Sequence, residues 1–291
     1  MAETQLKARA KINLTLDVKA RLRDGYHSVE MVMQQIDIAD RVSIGTGDGS
    51  GPILVESDSR YVPDGEANIA YRAAQLIRKR YGIDRPVTVF IEKNIPTAAG
   101  LGGGSADAAA VILGLNRLLG LNLDLREMMR LGADLGADVP FCIMGGTALA
   151  RGKGEVLTPI VSAAVLDILL VKPPVSVSTA WAYRNLDLSS ITKRPDNAGM
   201  IAALEARDRE RIAEGMVNVL EEVTVSKHTE ISEIKSRMLE RGALGTVMSG
   251  SGPTVVGLFG DGRKAKEAAK IFMESYKEVI VTKTVPTKEG E

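Results

Sequence analysis

Four glycines occupy five positions at Gly100–Gly104, between an alternating apolar segment (Val87, Val89, Ile91) and a long apolar run that begins at Ser105. Nothing else in the chain constrains its fold as tightly. Glycine permits positive φ and close backbone approach, and the first turn of a helix presents N–H groups that lack intrahelical partners and carry partial positive charge. A strand, glycine loop and helix in this order form an anion cradle. Backbone donors at a helix start hold phosphate oxygens without help from a loop lysine. A tight strand-to-helix turn is the plainer alternative, but four glycines exceed what such a turn needs. The other glycine-rich phosphate motifs, G-x-x-x-x-G-K-[ST] and G-x-G-x-x-G, do not occur in the chain, which argues against the folds that carry them.

The length of 291 residues suits two packed domains. An apolar share of 45% with 25% charged residues points to a folded globular protein. Lys plus Arg equals Asp plus Glu at 37 each, so no net field gathers nucleic acid or an anionic membrane, and phosphate binding has to be local. Cys142 is the single cysteine and cannot form an internal disulfide. His27 and His228 are far apart in sequence and suggest no metal-ligand cluster. The opening residues lack a signal-peptide core, and the apolar stretch Val161–Val171 is short and interrupted by Asp167. A reducing, cytoplasmic setting is expected.

Along the chain, Ala10–Asp17 alternates apolar and polar residues and predicts a half-buried strand. Arg21–Gly25 reads as a turn, Val29–Ile44 as strand and Gly45–Pro52 as a glycine-rich hairpin connection. Glu66–Tyr81 predicts a helix stopped by Gly82, Pro86–Ile95 a strand, Ser105–Leu119 a helix, and Asp124 the cap of another helix reaching about Leu135. Strands at Thr147–Ala150 and Leu166–Val171 follow. Helices are then expected at Thr179–Asn185, Asn197–Glu205, Arg209–Glu222 and Ser226–Arg241. The chain closes with strands at Leu244–Met248 and Val255–Phe259, a helix at Lys264–Tyr276 and a strand at Val279–Thr284. Runs of both element types indicate an α+β class, with domains expected at 1–158 and 159–291.

Three motifs carry a resemblance. P-T-A-A-G-L-G-G-G-S-A-D-A-A-A from Pro96, K-A-R-A-K-I-N-L near the start and G-T-V-M-S-G-S-G-P-T-V near the end resemble, in order, the signatures of the GHMP kinases. D-G-Y-H-S-V, L-G-A-D-V-P-F and G-G-T-A-L-A-R-G-K-G-E-V-L narrow the resemblance to the diphosphocytidyl-methylerythritol kinase branch. It is dense to about Pro159 and again over Met248–Phe259, and sparse between. Ala106 departs from the pattern, in which a second serine commonly follows Ser105. The resemblance implies a two-domain GHMP fold, an ATP-binding domain followed by a ferredoxin-like one with the active site in a groove. It also implies transfer of the ATP γ-phosphoryl group, with Mg²⁺, to the 2-hydroxyl of a methylerythritol bearing a cytidine diphosphate, a step of non-mevalonate isoprenoid synthesis.

The same resemblance distributes roles. Asp138 matches the catalytic base and Lys11 its charge partner, with Asn13 on the same strand face as Lys11; a turn acid and a solvated lysine are the plain alternatives. Pro96, Ala98, Ala99, Gly100, Leu101, Gly102, Gly103 and Gly104 wrap ATP phosphates. Ser105 is placed for phosphate or Mg²⁺, or as a helix cap. Asn68 matches a residue near adenine, or caps its helix, and Lys93 and Asn94 border the base. Tyr26 and His27 match the cytosine site, Tyr183 the aromatic on its other side, with Trp181 a neighbouring candidate. Ser249, Gly250, Ser251 and Gly252 line the substrate, or form a tight hairpin. Another alcohol kinase of the superfamily (homoserine, mevalonate or sugar) and a nucleotide-binding regulator without catalysis are the rival readings. A monomer or a homodimer is compatible with the near-zero net charge.

Overall fold

The computed structural model describes residues 2–162 and 164–287; Met1, Ala163 and residues 288–291, which include the outer ends of both expected domains, lie outside the described residues. The strands and helices begin with β1 (Ala2–Asn13), β2 (Thr15–Arg21), β3 (His27–Thr46), β4 (Ile53–Ser57), α1 (Ile69–Tyr81), β5 (Val87–Glu92), α2 (Gly103–Leu119), α3 (Leu125–Ala133) and α4 (Val139–Met144). They continue with β6 (Thr147–Arg151), β7 (Val156–Pro159), β8 (Asp167–Lys172), α5 (Thr179–Asn185), α6 (Asn197–Ala206), α7 (Arg209–Glu214) and β9 (Val217–Asn218). The last are α8 (Glu221–Lys227), α9 (Glu230–Glu240), β10 (Ala243–Met248), β11 (Val255–Phe259), α10 (Gly262–Met273) and β12 (Glu278–Lys283). The α+β class expected from the sequence is the class found. The chain divides into two compact units, Met1–Ala10 with Ile38–Thr97 and Gly102–Gly145, and Lys11–Asp37 with Ala98–Leu101 and Gly146–Glu291.

In the first unit β5 runs between β4, which it pairs in parallel, and the Arg41–Thr46 end of β3, which it pairs antiparallel. Gly45–Pro52 is therefore not a hairpin: β3 and β4 are not neighbours, and the connection spans the place taken by β5. Turn residues signal a reversal of the chain without specifying which strand is paired next. Helix α1 starts at Ile69 rather than Glu66, after a short 3₁₀ turn at Gly65–Ala67. Asn68 caps it, accepting from Ala70 N at 2.9 Å, and Gly82 ends it in the left-handed region at φ 64°. Alanines along α2 bury a narrow face against α1. At Gly114 even a methyl group would strike Ile44, so the helix can lie close to the sheet. Asp124 and Glu127 form a reciprocal capping box on α3, in line with the cap expected at Asp124. Helix α4 carries no clear signal in V-P-F, but Pro140 in the first turn lacks only an N–H that a helix does not use there.

In the second unit β2 pairs the start of β3 antiparallel and β9 in parallel, while β6 joins β3 and β7 extends β6. A separate antiparallel sheet runs β10-β11-β8-β12, with α9 and α10 packed against it in the ferredoxin-like manner expected. Arg237 of α9 lies over the Phe272 ring of α10, 4.8 Å from its centroid, so both helices share one face.

The segment Ala10–Asp17 departs from the half-buried expectation because both of its faces are covered. Ile12 and Leu14 are fully buried, each such side chain contributing about 1.5–3 kcal/mol. The polar face is buried as well, and its groups find partners. Thr15 Oγ1 donates to Asn197 Oδ1 at 2.5 Å, and Asp17 pairs with Arg194 at 2.5 Å and Lys19 at 2.7 Å. The helix expected over Arg209–Glu222 is broken in two. Gly215 closes α7, and Val217–Asn218 leave the helix to pair with Thr15–Leu16 of β2, an interaction local periodicity cannot reveal. The helix expected from Ser226 likewise starts late, at Glu230, after α8 has ended at Lys227.

Candidate active site

Within the second unit, pieces of all three motifs meet. Lys11 sits near the end of β1 with 5% of its surface exposed, and its Nζ donates to Asn13 Oδ1 at 2.9 Å. Its backbone N–H donates to the carbonyl of Leu101 at 3.0 Å, which ties this strand to the glycine loop. The loop is held from the other side by Ser249, whose hydroxyl donates to the carbonyl of Gly100 at 3.0 Å. Gly100 has φ 74°, and a Cβ there would collide with the carbonyl of Ser249, so both conformation and space require glycine. Gly250, at φ 58°, turns its bare side toward Asn13 Oδ1 and Lys11 Nζ, each 3.5 Å from where a Cβ would stand. A hairpin turn alone does not account for the third motif: it packs on Lys11, Asn13 and Gly100.

The Ser249–Gly252 turn is closed by Gly252 N donating to Ser249 O at 2.9 Å, and the Gly252–Pro253 bond that follows is cis. Ser251 shares a 2.9 Å hydroxyl contact with Thr179, the first residue of α5. The start of β3 and helix α5 carry aromatic residues. His27 and Tyr183 stack at 5.3 Å between centroids and 35° between planes. Tyr26, 62% exposed, instead lies under Lys153, which is 4.4 Å from its centroid and pairs with Asp24 at 2.6 Å. Trp181 faces Lys227 rather than His27. Burial, and then the positive charge of Arg21, hold His27 below its ordinary pKa, so its ring is neutral at pH 7 and offers one donor and one acceptor.

Within the first unit, Gly102 is the cap of α2 at φ 70°, so Ser105 is the helix's third residue and not its cap. Ala106 N makes the first intrahelical bond, to Gly102 O at 2.9 Å, which leaves the N–H groups of Gly103, Gly104 and Ser105 in the position that favours an anion. Ala98, earlier in the loop, holds φ 51°, unusual for a residue with a Cβ. Lys93 does not extend toward solvent. Its ammonium contacts Asp40 and lies 2.9 Å from Asp107 Oδ2, with 8% of the side chain exposed. Asp40 also accepts from Asn94 N at 2.6 Å and Ile95 N at 2.8 Å, fixing the chain just before the loop, while Asn94 Nδ2 donates to Ala39 O. Burial raises Asp107 to about 7 against the opposing pull of Lys93. Burial alone would lower Lys93, but Asp107 and Asp40 outweigh it and leave its pKa raised. A Cβ on Gly103 would stand 3.3 Å from Lys93 Nζ, so this buried cluster lies directly beneath the start of α2.

Asn68 is spent on capping α1 but remains beside the loop, since Ile69 packs against Gly104. Asp138 is half-buried at the N-terminal cap position of α4, without a capping bond from its side chain. Four further residues escape the sequence analysis: Asp40, Asp107, Asn218 and Glu221. An aspartate between Ile38 and Val42 in an apolar strand, and another inside A-D-A-A-A, are the available signals for the first two. Asn218 and Glu221 carry none, because their stretch has the spacing of continuous helix. Among the described residues no cluster of three or more His, Cys, Asp or Glu could hold a metal, and no helix is long and apolar enough to cross a membrane.

Residues 68–146 match the family model for the GHMP kinases N terminal domain, and residues 200–278 that for GHMP kinases C terminal. A 4-diphosphocytidyl-2-C-methyl-D-erythritol kinase of Acetivibrio thermocellus is 50% identical over 285 residues, covering 98% of this chain and 100% of that one. Its counterpart in Alkaliphilus metalliredigens is 49% identical over 278 residues, covering 96% and 95%. A crystal structure of 4-(cytidine 5'-diphospho)-2C-methyl-D-erythritol kinase is similar with a TM-score of 0.82 at 32% identity, covering 97% of this chain and 99% of that one. The three motifs, both matched halves and near full-length identity to these relatives place the chain, a kinase, in the 4-diphosphocytidyl-2-C-methyl-D-erythritol kinase family of the GHMP kinases.

Proposed function

We propose that the enzyme transfers the γ-phosphoryl group of ATP to the 2-hydroxyl of 4-diphosphocytidyl-2-C-methyl-D-erythritol, in the cytoplasm, as a step of non-mevalonate isoprenoid synthesis. The observation that carries this reading is the meeting of Lys11, Asn13, Gly100 and the Ser249–Gly252 turn, a polar, glycine-lined surface suited to an anion. Names of the relatives supply the acceptor, and the neutral His27 stacked on Tyr183 is consistent with holding a cytosine ring. Domains 1–158 and 159–291 are proposed as the ATP-binding and C-terminal halves.

In the proposed reaction the acceptor oxygen forms a bond to the γ-phosphorus as the bond to the β-bridging oxygen breaks, and ADP leaves. Asp138 takes the hydroxyl proton. Lys11 provides positive charge for the phosphoryl oxygens, and the N–H groups of Gly103 and Gly104 hold the triphosphate. Mg²⁺ usually keeps several waters and binds through phosphates and one or two protein oxygens. The Ser105 hydroxyl at the start of α2 fits that modest demand, and no dense carboxylate cage is required. When bound, the ion would offset triphosphate charge. Asn68, Lys93 and Asn94 shape the surroundings of the nucleotide, Lys93 from below the loop.

A coupled ADP-release assay with Mg·ATP tests the reading on four alcohols: the cytidine compound, the polyol without its cytidine diphosphate, homoserine and mevalonate. Turnover restricted to the first is expected. Turnover on another of them would overturn the acceptor, and ATP binding with silence on all four would overturn catalysis.

A further inference from the structure

We propose that Asn218 is a positioning residue for phosphoryl transfer, holding the Ser249–Gly252 turn in place over Lys11 and Asn13. The inference rests on the functional reading above for the importance of that turn, but its geometry stands by itself. Asn218 is 4% exposed and lies in the two-residue strand β9. Its Nδ2 donates to the carbonyls of Met248 and Gly250, each at 2.7 Å, and its Oδ1 accepts from Leu220 N at 2.9 Å. Both amide hydrogens are thus committed to the turn, one on each side of Ser249.

The segment following Asn218 grips the same turn. Glu221 Oε1 accepts from Met248 N at 2.7 Å and its other oxygen pairs with Lys235, while Thr224 Oγ1 donates to Ser251 O at 3.4 Å. The turn itself contains Gly250 and Gly252, both at positive φ, and such a sequence has little intrinsic preference for one conformation. Order therefore has to come from outside it. Because Ser249 bonds Gly100 and Gly250 faces Lys11, a shift in the turn would carry directly to these groups.

Asn218→Asp conserves shape and the bond from Leu220 but removes both donors; Asn218→Ala removes them without adding charge and carries the test if the first variant does not fold. Two measurements are made on folded protein, amide hydrogen exchange over residues 245–256 and steady-state kinetics. Exchange in the turn is expected to rise at least ~10-fold, and kcat per folded molecule to fall ~10–100-fold with KM for ATP within about twofold of native. A purely structural asparagine would lower Tm and leave kcat per folded molecule unchanged, and that result would overturn the proposal, as would native protection of the turn. If the native enzyme were silent toward the cytidine compound, the functional reading would fall alone, while the exchange measurement would still decide whether Asn218 holds the turn.

Discussion

The start of α2 and the His27–Tyr183 pair are built on opposite principles. Beneath the first lie three buried ionisable groups, Lys93, Asp40 and Asp107, and the groups it offers a ligand are backbone N–H donors. At the second the offered surfaces are side-chain rings, both exposed in part and in tilted contact with each other. A backbone cradle reads charge and geometry, which every triphosphate shares. Rings read the shape and edge of one particular base. On the proposed reading, the general part of this enzyme is locked from within by charge, whereas its selective part is carried by the start of β3 and by helix α5.

The sharpest way to test that contrast is to remove the chemistry from both. Asp138→Asn keeps size and loses the proton acceptor, so kcat should fall by ~10²–10⁴ while ATP affinity, measured by calorimetry, stays near native. Retained turnover with lost nucleotide binding would overturn the catalytic role proposed for Asp138.

Lys93→Met tests whether the first region is locked by charge. It strands two buried carboxylates without their cation, and a loss of about 3–5 kcal/mol in urea denaturation is expected. A loss below about 1 kcal/mol would mean the cluster is not holding the loop.

His27→Ala probes the selective region. KM for the cytidine acceptor should rise about tenfold or more with KM for ATP unchanged, in keeping with ~1–3 kcal/mol for base stacking. An equal effect on both substrates would break the distinction between the two regions. The pH dependence has a definite sign. Since burial and Arg21 depress the His27 pKa, the stability it contributes is present above its unfolded value of about 6.5 and is lost as pH falls through the lower folded one. Acceptor KM should rise on acidification in the same range, and His27→Asn should flatten that profile.

The smallest effect belongs to Tyr26. Its ring is mostly exposed and covered by Lys153, so Tyr26→Ala should change acceptor KM by less than about threefold. A change as large as that for His27 would instead make the ring part of the base site.

Much of the candidate site is legible in the order of the residues. The glycine loop announces itself through composition and its place before a helix, and Lys11 and Asn13 through strand alternation. The third motif can be recognised there but not distinguished from a hairpin. Asp40 and Lys93 are 53 positions apart, and Asn218 and Met248 are 30. No local pattern links such pairs, because each residue alone looks like an ordinary strand or helix position.

Periodicity and glycine placement depend on near neighbours in the chain, and they suffice for the α+β class, most helices and strands and the anion cradle, with the three motifs adding the family. Three features come from long-range packing alone: the burial of the polar face of Ala10–Asp17, the placing of β5 between β3 and β4, and the departure of Asn218 from a helix to hold the Ser249–Gly252 turn. The reason is the same in each case: buried polar groups must find partners, and those partners are supplied by packing between segments distant in sequence.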